Sequence, residues 1–120
     1  MFNSIKIAVF WLFLFGVSSY STGQSVIQIE KRAKEALKNK QYEAAKIDYQ
    51  ILVSREPSSA DYNFHYALCV FHTESKKESQ KYFEVSIKNS SAFCEAHYYL
   101  GRIFHAGYLF NDAITAFQTY

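Results

Sequence analysis

The sequence predicts an all-α fold, a superhelix of helix hairpins stacked side by side, and three observations carry that expectation. First, three residue classes recur together at an interval of 34: Ala33, Ala67 and Gly101; Ala45, Ser79 and Ala113; Tyr49, Phe83 and Phe117. Second, within each unit a small residue is followed 12 positions later by another, and 4 positions after that by an aromatic. Small side chains let two helices approach closely, and an aromatic one turn further on fills the space between neighbouring pairs. A fixed period of roughly 20–50 residues marks a stacked-repeat architecture. Third, the chain holds one Pro and four Gly in 120 residues, and its Val, Ile and Thr do not alternate in runs. Sheet is not expected.

The elements begin with an export signal over residues 1–23. Met1 to Lys6 carries one cation, Ile7 to Val17 is an uncharged apolar run of 11 residues, and the polar stretch SSYSTGQ follows. That is the layout of a secretory signal peptide, with Ser21 and Gly23 small enough to direct cleavage before Gln24. A retained membrane anchor is the alternative, but a spanning helix needs about 20 apolar residues. No cysteine follows the run, so a lipid-modified N-terminus is excluded. The mature segment, Gln24 to Tyr120, has 97 residues, and losing Lys6 takes the formal charge from +2 to +1.

Three units then divide the domain 24–120: residues 26–59, 60–93 and a partial 94–120. In the first, a helix is expected from Val26 to Lys38 with Ala33, Ala36 and Leu37 on one face. Asn39 and Lys40 break it, Asn tolerating the left-handed conformation of a helix end. The second helix carries Tyr42, Ala45, Tyr49, Leu52 and Val53 at the 3–4 spacing of an amphipathic stripe, and Pro57 stops it. Ser58 is expected to cap the next helix, with Asp61 three residues on. That helix sets Phe64, Ala67, Leu68 and Phe71 on one face. The helix after it is weaker, since Ser79 and Ser86 stand where unit one has Ala45 and Leu52; a looser, partly solvated edge is expected there. In unit three Leu100, Gly101 and Phe104 mark the first helix, Gly107 its C-terminal turn, and Phe110, Ala113, Phe117 and Tyr120 the second. This last unit is expected to expose an apolar flank of Ile103, Ile114 and Phe117, because stacked repeats need a terminal helix with a polar outer face.

On these residues the sequence resembles the tetratricopeptide repeat family. The family pattern sets a large and a small residue at unit positions 7 and 8, an aromatic near 17, Ala at 20, an aromatic at 24 and Pro at 32. Unit three matches with Leu100, Gly101, Phe110, Ala113 and Phe117, and unit one with Ala33, Tyr42, Ala45, Tyr49 and Pro57. Unit two matches with Tyr66, Ala67 and Phe83, with Ser79 for the alanine. The tryptophan often found at position 4 is replaced by Ile29, Asn63 and His97. More weakly, the wording of YALCVFHTESKKESQKYFE and EAHYYLGRIFHAGYLFNDAITAF is similar to N-terminal repeats of Gram-negative envelope proteins that end in an OmpA-like peptidoglycan-binding domain.

The resemblance implies a non-catalytic scaffold that binds a peptide or protein partner in the groove lined by the first helices. Carried over position by position, the partner contacts are Lys34 in unit one, Phe64, Leu68, Phe71 and His72 in unit two, and Tyr98, Arg102 and His105 in unit three. Aromatics and Arg dominate interface hot spots. The competing reading makes Phe64, Leu68 and Phe71 core between neighbouring units. Positions 5 and 9 hold Glu30 and Lys34, Phe64 and Leu68, and Tyr98 and Arg102, which departs from the family's carboxylate clamp. The weaker resemblance implies the alternative, an N-terminal portion of an envelope structural protein anchored to peptidoglycan by a further domain. Either reading places the protein outside the cytoplasm, in the periplasm or at the outer membrane. It would touch a membrane only through its signal segment and join an envelope complex or self-associate through the uncapped last repeat.

Other chemistries find little to stand on. The near-neutral charge gives no basis for nucleic-acid binding. His65 and His72 lie seven apart and His97 and His105 eight apart, whereas helical metal pairs more often sit one turn apart, so no metal is expected. No Gly-rich phosphate loop, GxSxG turn or carboxylate pair stands out, and neither catalytic residues nor a cofactor is expected. Cys69 and Cys94 are offset by nine residues along the stack, about 13 Å of helix rise. Bridged Cα atoms lie within about 7 Å, so two separate small buried residues are expected.

Overall fold

The computed structural model describes residues 25–120; the expected signal peptide lies outside the described residues. Among them are six helices and no strand: α1 (Val26–Lys38), α2 (Tyr42–Arg55), α3 (Ala60–Thr73), α4 (Lys76–Asn89), α5 (Glu95–Ala106) and α6 (Phe110–Thr119). Each helix packs on the next along the chain, the arrangement an α–α superhelix requires. The second helices of the three hairpins begin at Tyr42, Lys76 and Phe110, 34 residues apart each time.

The hairpin ends follow from local chemistry. Ser25 caps α1 by accepting a hydrogen bond from the Gln28 amide. The α1–α2 turn is a Schellman motif: the Gln41 amide donates to Ala36 O and that of Lys40 to Leu37 O, each at 2.9 Å. Its left-handed residue is Lys40 (φ 55°), not Asn39 as the sequence suggested. Two repeats on, Leu109 donates to Phe104 O and Tyr108 takes φ 60°, so the residue after Gly107 carries the positive angle. The middle hairpin lacks this motif; its α3 runs to Thr73 and the Glu74 amide donates to Val70 O. The cap of α3 is Ser59 rather than Ser58, accepting from the Tyr62 amide. Asn63, where the family pattern often has tryptophan, is buried and donates to Pro57 O at 2.9 Å and Ser59 O at 2.8 Å, tying the helix to the turn before it.

The small residues that defined the period are all buried: Ala33, Ala45, Ala67, Ser79, Gly101 and Ala113. A Cβ on Gly101 would meet the Phe117 ring at 2.5–2.8 Å, so the glycine makes room for the aromatic of the facing helix. Two cores result. One joins Ile29, Ala33, Tyr49 and Leu52 to Tyr62, Tyr66, Cys69 and Val70. The other joins Phe64, Ala67, Phe71 and Phe83 to Ala96, Leu100, Ile103 and Ala116. Helix α3 supplies one face to each.

Three expectations are corrected. Ser79 and Ser86 are fully buried, not at a solvated edge, because α4 is covered by α3 and α5; the Ser79 hydroxyl donates to Lys76 O in its own helix. Ile103 is 5% exposed, buried in the second core, so of the three residues expected on the apolar flank only Ile114 and Phe117, both on α6, are exposed. Both cysteines are unpaired, but Cys94 is exposed just before α5 whereas Cys69 is buried, and burial pushes its thiol up to about 12.

Candidate partner-binding surface

The α3 and α5 helices bring Phe71, His72, Tyr98 and Arg102 of the expected contact residues together. Phe71 is the floor. Its ring meets Tyr99 edge-on at 5.1 Å between centroids, and Tyr99 stacks in parallel on Phe83 at 5.0 Å. The guanidinium of Arg102 lies 5.0 Å from the Phe71 centroid and 5.8 Å from that of Tyr98. From the start of α4 Lys76 Nζ reaches within 5.6 Å of the same Phe71 ring. A cation over a ring face is held by the ring quadrupole. Neither cation has a carboxylate partner among the described residues.

His72 borders this cluster. Its ring stacks on Tyr42 of α2, centroids 4.2 Å apart. Partial burial, then the charges of Arg102 and Lys76, lower its pKa below the ordinary imidazole value. Beside it a cleft of about 660 Å³ is lined by Lys40, Gln41, Tyr42, Glu43 and Thr73 among others. A second, of about 560 Å³, runs from Lys76 and Gln80 to Phe104 and Leu109.

The remaining expected contacts divide. Phe64 and Phe71 are 5% and 4% exposed, so they stabilise the inter-hairpin core and offer a partner almost no surface. Leu68 is half-buried against that core. Lys34 is on α1 and acts at the other, N-terminal end of α3, where its charge reaches Asp61, whose carboxylate the His65 ring 3.2 Å away holds below its usual range. His105 is exposed at the far end of α5, its ring 5.6 Å from that of Phe110. Sequence reasoning thus gathered His72, Tyr98 and Arg102, and missed Lys76, Tyr42 and Tyr99. Tyr42 stands at the same unit position as Lys76, 34 residues earlier, but no spacing rule joins either to a histidine on another helix.

Among the described residues no three His, Cys, Asp or Glu side chains are grouped as a metal site would need. The four histidines are instead spread, two of them stacked on tyrosines: His72 on Tyr42, and His65 on Tyr49 at 5.3 Å. No model of a known protein family matches the chain, and no curated protein does.

A polar pair lies in the first described hairpin. Arg32 donates two hydrogen bonds to Asp48, Nε to Oδ2 at 2.7 Å and Nη2 to Oδ1 at 2.6 Å, bridging α1 and α2. The Asp48 carboxylate is buried and the arginine half exposed. The same unit positions hold Tyr66 and Tyr82, rings 4.7 Å apart, in the second hairpin, and Leu100 and Ala116, both buried, in the third.

Proposed function

We propose that this chain is an exported helical-repeat module of the tetratricopeptide type, a scaffold that binds a peptide or protein partner and performs no chemistry of its own. The 34-residue recurrence of buried small residues and of helix starts supports the repeat reading. The observation that carries the binding reading is Arg102: an exposed guanidinium framed by Phe71 and Tyr98, with Lys76 and His72 alongside and no internal carboxylate to neutralise it. Arg among aromatics, with apolar surface beneath, is the composition of an interface hot spot. Such a surface suits an extended segment with an acidic group at the cation cluster and an apolar side chain resting on Leu68. A peptide array probed with the purified protein tests this. Acidic peptides carrying apolar anchors are expected to bind, and Arg102→Glu should remove that binding while leaving the helical circular dichroism unchanged. Lys34→Glu, on α1 beside the other end of α3, should weaken it less. Equal binding by all three proteins would refute the reading.

A further inference from the structure

We propose that the cleft between α4 and α5 takes an apolar side chain of the partner segment, two residues along from the acid that meets Arg102 and Lys76. This second anchor rests on the reading of the Arg102 surface as a peptide-binding site. The cleft, about 560 Å³, has the size of a ligand pocket. Its floor is apolar: Ile103, which belongs to the second core, half-buried Phe104, and Leu109, which is 51% exposed. Its rim carries Lys76 and Lys77. The one carboxylate lining it, that of Glu74, is held by Lys46 Nζ of α2 at 2.9 Å.

The cleft belongs to the joint between hairpins and not to the last hairpin alone. The cleft beside His72 is its counterpart one repeat earlier: Tyr42 and His72 stand 34 residues before Lys76 and Ala106. That earlier cleft stays open although a whole hairpin follows it, so stacking further helices does not fill this position of the repeat. The two differ in chemistry. Tyr42 and His72 stack at the mouth of the first. In the second, Ala106 replaces the histidine and Lys76 turns towards Phe71, so no such stacked pair stands there.

Charge and reach select the occupant. Neither lysine has a carboxylate partner among the described residues, so the rim repels a basic side chain and draws an acidic segment. The floor gains from an aliphatic side chain and would strip water from a charged one. Lys76 lines the cleft and also lies 5.6 Å from the Phe71 centroid, so one lysine separates the two anchors. A lysine side chain spans about two residues of extended chain, at about 3.3 Å each, and residues two apart in such a chain face the same side. An acid held by Arg102 and Lys76 therefore sets the residue two along over the cleft.

Fluorescence anisotropy with the full chain, in the form the expressing cell leaves it, tests the anchor. The probes are short labelled Gly/Ser peptides with one Glu and one Leu, the leucine moved stepwise away from the acid on either side. Tightest binding is expected at a separation of two, about tenfold tighter than for adjacent residues. Ala106→Phe, which plugs the cleft from an exposed helix end, and Leu109→Ser, which removes part of the floor, should each abolish that preference with helical circular dichroism unchanged. Binding that Arg102→Glu removes, but that is indifferent to the leucine position or to both cleft substitutions, overturns the anchor and leaves the Arg102 reading standing. Binding that Arg102→Glu leaves intact, or no binding at millimolar peptide, overturns both.

Discussion

The two end hairpins are built on one plan and finished in opposite ways. At unit positions 7 and 23 the first hairpin has Arg32 and Asp48 and the third has Leu100 and Ala116; at position 24 the first has buried Tyr49 and the third half-open Phe117. Among the described residues the first hairpin therefore turns a hydrogen-bonded charge pair away from its neighbour and meets that neighbour with apolar surface. The third meets its neighbour with apolar surface and leaves more of it outside. The lesson is that a repeat acquires direction through a few substitutions at its stacking positions while its internal spacing stays fixed.

The largest effect that would break this comparison is thermodynamic. Phe83→Ala should cost about 3–5 kcal/mol of unfolding free energy, the range for an aromatic removed from a close-packed core. Phe117→Ala, at the same unit position but partly open, should cost about half as much or less. Chemical denaturation monitored by circular dichroism measures both, and equal losses would mean that the middle and last hairpins are equally sealed. A second change sharpens the contrast by making the first hairpin resemble the third. Arg32→Leu with Asp48→Ala copies the Leu100 and Ala116 pair, and should make light scattering rise with concentration by putting apolar surface where the charge pair stands. Unchanged scattering would mean that the ion pair is not what keeps that end out of association.

The smallest effect concerns pH. His72 faces Tyr42, Arg102 and Lys76, and its folded pKa is depressed, so the folded chain binds fewer protons there than the unfolded chain does. Its contribution to stability is therefore full above the ordinary imidazole range and is lost as pH falls through that range. His72→Gln should flatten the decline in stability between pH 7 and 5 relative to wild type; a slope identical to wild type would remove this histidine from the account.

Much of the fold was legible because a small residue must sit wherever two helix backbones come close, and that demand repeats with the hairpin. Val26–Lys38 follows from such spacing together with the Asn39–Lys40 break. What escaped depends on contacts between separate helices. Ser86 looked solvated because its polarity was weighed without the α3 and α5 surfaces that cover it. Phe64 and Phe71 share a helix face with Leu68, and periodicity alone does not say which side of α3 meets α4. The Arg32–Asp48 pair joins residues 16 apart on two helices, yet a signal was present: at both positions a charge stands where the other two units have Tyr or an aliphatic residue.

Helix α3 belongs to both cores, and this bears on how the molecule comes apart. Linear repeat arrays often melt piecemeal, losing outer units while inner ones persist. Here the middle hairpin's first helix offers Tyr62, Tyr66 and Val70 to one side and Phe64 and Phe71 to the other, so neither terminal hairpin has a core without it. Loosening that one segment dissolves order at both extremities together, which makes the array behave as one all-or-none body despite its modular plan.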